Sequence, residues 1–308
     1  GPDGRPRNAL ITGASDTSGG AFTYPQHTGI VADSAAFREL GIWDVCTKEP
    51  ITSDVFDYVE ITGKTNNAAF VPEAISSATI VAGVPTAVDA GLKPESTMAL
   101  AVRTVPVENI AHLMYVTRRA AADAPRLMVL INTFLREGLA VKIEDQILLG
   151  NGTSPNLSGL TDSGNFTAFT PTSGANLAES INKAKYNRWA VGEVVDTVIV
   201  NPADWAALEI LREGAGTGAY LYGAPGTAAG GQPFGVNVVM SPFMPAGQFL
   251  IGALRTSAII YNRQGAVVEM GFVNDDFTKN LVTIRCEERL GLGVDRPAGI
   301  MYGAITAA

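Results

Sequence analysis

One stretch constrains this chain more than any other. Between Asp123 and Gly150, apolar residues recur at Leu127, Leu130, Ile131, Phe134, Leu135, Leu139, Ile143 and Ile147, the i, i+3, i+4, i+7 spacing of one helix face. Asp123 can cap the first turn, and Pro125 is tolerated there because the first amides of a helix have no internal partners. Gly150-Asn151-Gly152 ends the run. About 26 residues rising 1.5 Å each give a rod of roughly 39 Å, longer than most globular helices. Such a rod can serve as a spine.

A second long feature lies near the C-terminus. Val267 to Phe272 and Phe277 to Leu290 flank a turn at Val273-Asn274-Asp275-Asp276, which predicts a long β-hairpin. Along its second strand Val282, Ile284 and Cys286 share one face, and Thr283, Arg285, Glu287 and Arg289 share the other. The apolar face is expected against the spine, leaving the charged one for solvent or a partner. Residues 291–308, small and apolar, are expected to return to a core as a strand.

Elsewhere the elements are shorter. Residues 1–34 are rich in Gly, Ser, Thr and Pro without sustained periodicity and read as an extended arm. The Gly1-Pro2 start is what a maturation protease leaves, and equally what removal of a tag leaves. Residues 34–45 suit a short helix or a turn. Val55 to Ile61 alternates in the strand period and Thr97 to Val107 is β-prone; between them lies a weakly hydrophobic tip. Two strands with such a tip form a projecting hairpin that cannot bury a core alone. Residues 161–176 read as a polar loop, 177–191 as a helix and 194–200 as a buried strand. Asn201 and Pro202 then supply the N-cap and first-turn proline of a helix that puts Trp205, Leu208 and Leu211 on one side. The glycines from Gly214 to Gly218 follow a helix and precede no Walker lysine, so a flexible tip is expected there and not a phosphate loop.

Composition excludes several functions. At a net charge of −8 with 17% charged residues among 308, bulk charge gives no reason to bind nucleic acid. An ordinary acidic soluble protein fits this charge, and so does a surface that repels DNA and lets it slide. Cys46 and Cys286 have no CxxC or histidine companions and are expected as buried free thiols. His27 falls in the arm, and His112 precedes Leu-Met-Tyr-Val, where a packed, hydrogen-bonded histidine is expected. No metal, no cofactor and no GxSxG-type nucleophile is indicated. No apolar run approaches the roughly 18 residues of a membrane helix, so a soluble, cytoplasmically made chain without membrane contact is expected.

Several motifs together resemble a known family. In order they are Lys93-Pro94-Glu95-Ser96, Ile110-Ala111-His112, Asp123-Ala124-Pro125, Gly138-Leu139-Ala140, Leu149-Gly150-Asn151-Gly152-Thr153 and Asn156-Leu157-Ser158-Gly159-Leu160. Val200 to Trp205, Phe277 to Asn280, Thr283 to Leu290 and Arg296-Pro297 follow. Their joint order and spacing resemble the major capsid proteins of tailed bacteriophages with the Hong-Kong-ninety-seven-type fold, over about residues 35–303.

The resemblance implies an α+β fold: a peripheral domain of spine helix and long β-hairpin, a central axial α/β domain, an N-terminal arm and an extended hairpin loop. The segments would be an arm (1–34), a lead-in to the peripheral domain (35–54), the extended loop (55–106), the peripheral domain with its spine (107–160), the axial domain (161–262), the long hairpin (263–290) and a return to the axial domain (291–308). It implies a homo-oligomer of hexamers and pentamers, closed into an icosahedral head around double-stranded DNA without sequence-specific binding. Scaffolding or protease, portal and decoration proteins would be partners, and the virion capsid, assembled in the bacterial cytoplasm, the location. An encapsulin-type shell and a soluble α/β enzyme are the alternatives.

In some members an isopeptide bond joins a loop lysine to a hairpin asparagine of a neighbour, aided by a glutamate. Lys93 matches the lysine, Asn280 the asparagine and Glu287 the glutamate, which would act as the base; no cofactor is needed. By strand parity Asn280 and Glu287 point to opposite faces, so the site would draw on several subunits. The alternative for these residues is a salt bridge at Lys93, a turn cap at Asn280 and pairing of Glu287 with Arg285 or Arg289.

Overall fold

The computed structural model describes residues 41–70, 94–123, 125–212, 218–220 and 235–307. The arm, the hairpin tip with Lys93, His27 and most of the Gly214–Gly218 stretch fall outside the described residues.

The spine forms as its periodicity requires, as α3 (Pro125–Leu149). Leu135, Leu139, Ile143 and Ile147 are all buried along it, and Gly150 closes it by donating its N–H to the Gln146 carbonyl. The side-chain cap expected at Asp123 lies outside the described residues. Two short helices precede the spine, α1 (Ile42–Val45) and α2 (Arg118–Asp123). The Ile42 amide donates to the buried Glu144 carboxylate at 3.3 Å, tying α1 to the spine.

The spine's apolar stripe packs on a sheet. Among the described residues this sheet has four strands, β1 (Thr47–Pro50), β4 (Glu108–Thr117), β10 (Ala258–Gly271) and β11 (Leu281–Val294), in the order β1-β10-β11-β4. Strands β10 and β11 are the expected long hairpin, with Ile284, Cys286, Leu290, Leu292 and Val294 of β11 in the spine's core. Strand β4 was not foreseen. It runs antiparallel to β11 and carries His112, whose Nε2 lies 2.7 Å from the Leu135 carbonyl oxygen of the spine. That approach requires Gly138, since a Cβ there would stand 2.9 Å from the His112 ring.

The turn of this hairpin differs from expectation. Phe277 does not begin a strand; Asp276–Lys279 is a helical turn, α7. The Asp276 carboxylate accepts from the Val273 amide at 2.9 Å and the Thr283 hydroxyl at 2.5 Å. Those bonds curl the chain and bury Thr283, which alternation alone had placed on the open face. Strand β11 also runs on past Leu290 to Val294.

A second sheet has five described strands in the order β5-β12-β9-β7-β8: β5 (Thr167–Ala168), β7 (Thr197–Val200), β8 (Asn237–Met240), β9 (Gln248–Gly252) and β12 (Ile300–Ala304). Both of its faces are covered, so its strands read as continuous apolar runs. Ile199, Leu250 and Ile300 join the spine's core. Val198, Val200, Phe249 and Ile251 face a separate core with residues of α4 (Leu177–Ala190) and α5 (Pro202–Glu209). Asn176 and Glu179 form a capping box on α4, and Asn201 caps α5 ahead of Pro202 as expected. Helix α6 (Leu254–Ser257) links β9 to β10. Within the expected polar loop, β5 and β6 (Thr172–Ser173) make short pairings with β12 and β13 (Thr306–Ala307).

The remaining strands, β2 (Val55–Lys64) and β3 (Met98–Pro106), pair only with each other among the described residues.

Candidate functional site

The β2–β3 hairpin has two unlike faces. On one, Phe56, Tyr58 and Glu60 turn inward. Tyr58 accepts a hydrogen bond from the Val294 amide at 3.3 Å, and the Phe56 ring sits 3.9 Å, centroid to centroid, from Tyr261 of β10. Glu60 is buried in an ion pair with Arg103 across the hairpin. The rings rest on glycines of β11: a Cβ at Gly291 would lie 2.6 Å from Phe56, and one at Gly293 2.9 Å from Tyr261 and 3.3 Å from Tyr58. This root was missed in the sequence. Its signal was present in Gly291-Leu292-Gly293, because glycine alternating within a strand marks close approach of another element.

The other face is apolar and open. Val59 stands directly opposite Val102, and Ile61 opposite Leu100; Val59 is 53% and Val102 69% exposed, Met98 extends the strip at one end, and the hydrogen-bonded Asp57–Thr104 pair bounds it at the other. Contiguous exposed apolar surface of this kind marks a contact site. Among the described residues nothing packs over this face.

The outer face of the long hairpin holds the charged residues. Arg285 donates from Nη2 to Glu269 at 2.7 Å and lies 3.3 Å, through Nε, from Glu287. Glu287, 17% exposed at its side chain, stands between Ala111 of β4 and Val267 of β10. Arg289 turns instead to Asp54, 3.9 Å away. Leu113 and Tyr115 of β4 share this face and are exposed. On the opposite face sits Glu288, whose carboxyl burial pushes up from its ordinary value while a hydrogen bond from Asn262 opposes the shift.

Asn280 does not lie on β11, so the parity argument does not apply to it. It closes α7 in the left-handed region at φ 54°. Its N–H donates to the Asp276 backbone carbonyl and its carbonyl accepts from the Arg118 amide at 2.8 Å. The backbone is thereby fixed and the residue is exposed. Six strand residues, Leu281 to Cys286, lie between it and Glu287, an extended span of roughly 23 Å for seven steps of about 3.3 Å, so one chain does not bring the two together. Lys93 is outside the described residues.

Both cysteines are buried and free. Burial, with the Asp196 carboxylate adding to it, pushes the Cys46 thiol up to about 12. Among the described residues no group of histidine, cysteine and acidic side chains is arranged to hold a metal, and no helix is long and apolar enough to cross a membrane.

Comparison with known proteins places this geometry. The profile of the phage capsid family matches residues 20–305. The major capsid protein of Enterobacteria phage HK97 is 31% identical over 304 residues, covering 97% of this chain and 73% of that one. Among solved structures, one from Mycobacterium phage Bobi superposes with a TM-score of 0.69 at 15% identity, over 96% of this chain and 99% of that chain. The capsid of a native GTA particle superposes with a TM-score of 0.70 at 17% identity, over 97% and 100%. The chain belongs to the phage capsid family, as a structural subunit of the virion shell with the α+β fold of those capsids.

Proposed function

We propose that copies of this subunit close, as hexamers and pentamers, into an icosahedral head that holds double-stranded DNA. The observation that carries the reading is the bare Val59–Val102 and Ile61–Leu100 face on a hairpin that joins neither core. Packed on a sister copy it removes apolar surface from water at roughly 25 cal/mol per Å². A hairpin clamped only at its root lets the same contact form at slightly different angles, as a shell built from one chain needs. A net charge of −8 suits a wall that does not grip the packaged polymer. Scaffolding, portal and decoration proteins would complete the particle. Electron micrographs of purified material should show closed shells, with nuclease-resistant double-stranded DNA in particles from infected cells; a monomer at high concentration would refute the reading.

Neighbouring copies are then joined covalently. The Lys93 amine of one copy attacks Cγ of Asn280 on another; a new N–C bond forms, the Asn280 C–N bond breaks and ammonia leaves. Glu287 takes the proton from the attacking amine and passes it to the leaving nitrogen. The fixed backbone and exposure of Asn280 support its role as acceptor. The roughly 23 Å between Asn280 and Glu287 requires that they come from different copies. Particles boiled in detergent should run as a ladder that Lys93→Arg abolishes; a single band near 32.2 kDa would exclude the bond.

A further inference from the structure

The charged face of the long hairpin contains an arrangement that the cross-linking chemistry does not itself call for. The Arg285 guanidinium is shared between two carboxylates, Glu269 on β10 at 2.7 Å and Glu287 on its own strand at 3.3 Å. From β4, Glu287 meets Ala111, with Asn109 and Leu113 as diagonal neighbours; from β10 it meets Val267, with Glu269 one pair along. Its other same-face strand neighbour, Arg289, points to Asp54. Among the described residues, Arg285 is thus the cation set on Glu287.

A guanidinium within ion-pair reach of a carboxylate screens the oxygen it faces and holds the side chain in place, so an incoming amine must reach Glu287 past it. We propose that Arg285 is a positioning residue that restrains Glu287 as a proton acceptor, and that Glu269 sets the strength of the restraint by competing for the same guanidinium. This rests on Glu287 acting as the base of the cross-link. When the neutral lysine amine attacks, one of its protons goes to the Glu287 oxygen as Arg285 shifts towards Glu269, and then to the Asn280 amide nitrogen, which leaves as ammonia. No other reactant is required.

The two carboxylates therefore pull on Arg285 in opposite directions, which gives a test that general damage to the hairpin would not imitate. Dissociated full-length subunits are treated with a water-soluble carbodiimide and glycinamide. Modification of Glu287 is read by peptide mass spectrometry against the buried Glu288 beside it. R285L should raise the Glu287 labelling rate several-fold, R285K should fall between it and the parent, and E269Q should lower the rate. Unchanged labelling, or a shift in the same direction for R285L and E269Q, overturns the proposal. A second arm follows the ladder in assembled particles, which R285L should speed and E269Q should slow. If no variant gives a ladder while the labelling shifts persist, the cross-linking reading fails and the restraint stands.

Discussion

Two hairpins of this chain have the same alternating pattern and opposite fates. In β10–β11 the apolar side of the ladder lies on the spine, with Ile284, Cys286, Leu290 and Leu292 all buried. In β2–β3 the equivalent side, Val59, Ile61, Leu100 and Val102, faces solvent. Alternation alone does not distinguish them, because a period of two states that a strand has two faces and not what lies over either; the weakly hydrophobic tip between residues 61 and 97 is what marks the second as projecting. The long hairpin is complete within one chain. The projecting hairpin is anchored at its root by Phe56 and Tyr58, and its outer face is open among the described residues.

Substitutions can break this contrast at each level. The largest effect belongs to the closed side: Leu139→Ala, in a spine residue that is 1% exposed, should cost about 2–5 kcal/mol in urea unfolding of the subunit. At the junction, Gly291→Ala places a methyl against Phe56. It should cost about 1–3 kcal/mol and, in assembled particles, speed amide exchange in β2–β3 more than in the spine.

A smaller effect depends on pH. Burial raises the Glu288 carboxyl in the folded chain, so its contribution to stability is full below the unfolded value of 4.5 and is lost as pH rises through the folded one. Glu288→Gln should therefore melt higher than the parent at pH 7, with the gap closing below pH 4.5. The smallest change in subunit stability, within about 0.5 kcal/mol, is expected for Val102→Asp on the bare face. Yet this variant should form no particles in sedimentation.

What could be read in the sequence divides along the same line. The spine was legible because its apolar residues keep one period for six turns, and α5 because Asn201 and Pro202 each have one local role. Strand β4 was hidden: its half-buried, half-exposed alternation is weak, and its place is set by β11, more than a hundred residues away. The turn at α7 was misread as strand because Phe277 is β-prone, whereas the Asp276 carboxylate decides the local backbone through two hydrogen bonds. Of the candidate site, Asn280 and Glu287 were found through family resemblance. That Asn280 is held in the left-handed region, and that Arg285 is divided between two acids, depends on side-chain geometry and not on residue order.

Hydrogen exchange on free subunits and on assembled particles tests most directly whether the projecting hairpin is finished only by a sister copy. The amides of the spine and of β10–β11 should be equally protected in both states, while those of residues 55–64 and 98–106 should become slow only in the particle. Equal protection of β2–β3 in the free subunit would contradict the account.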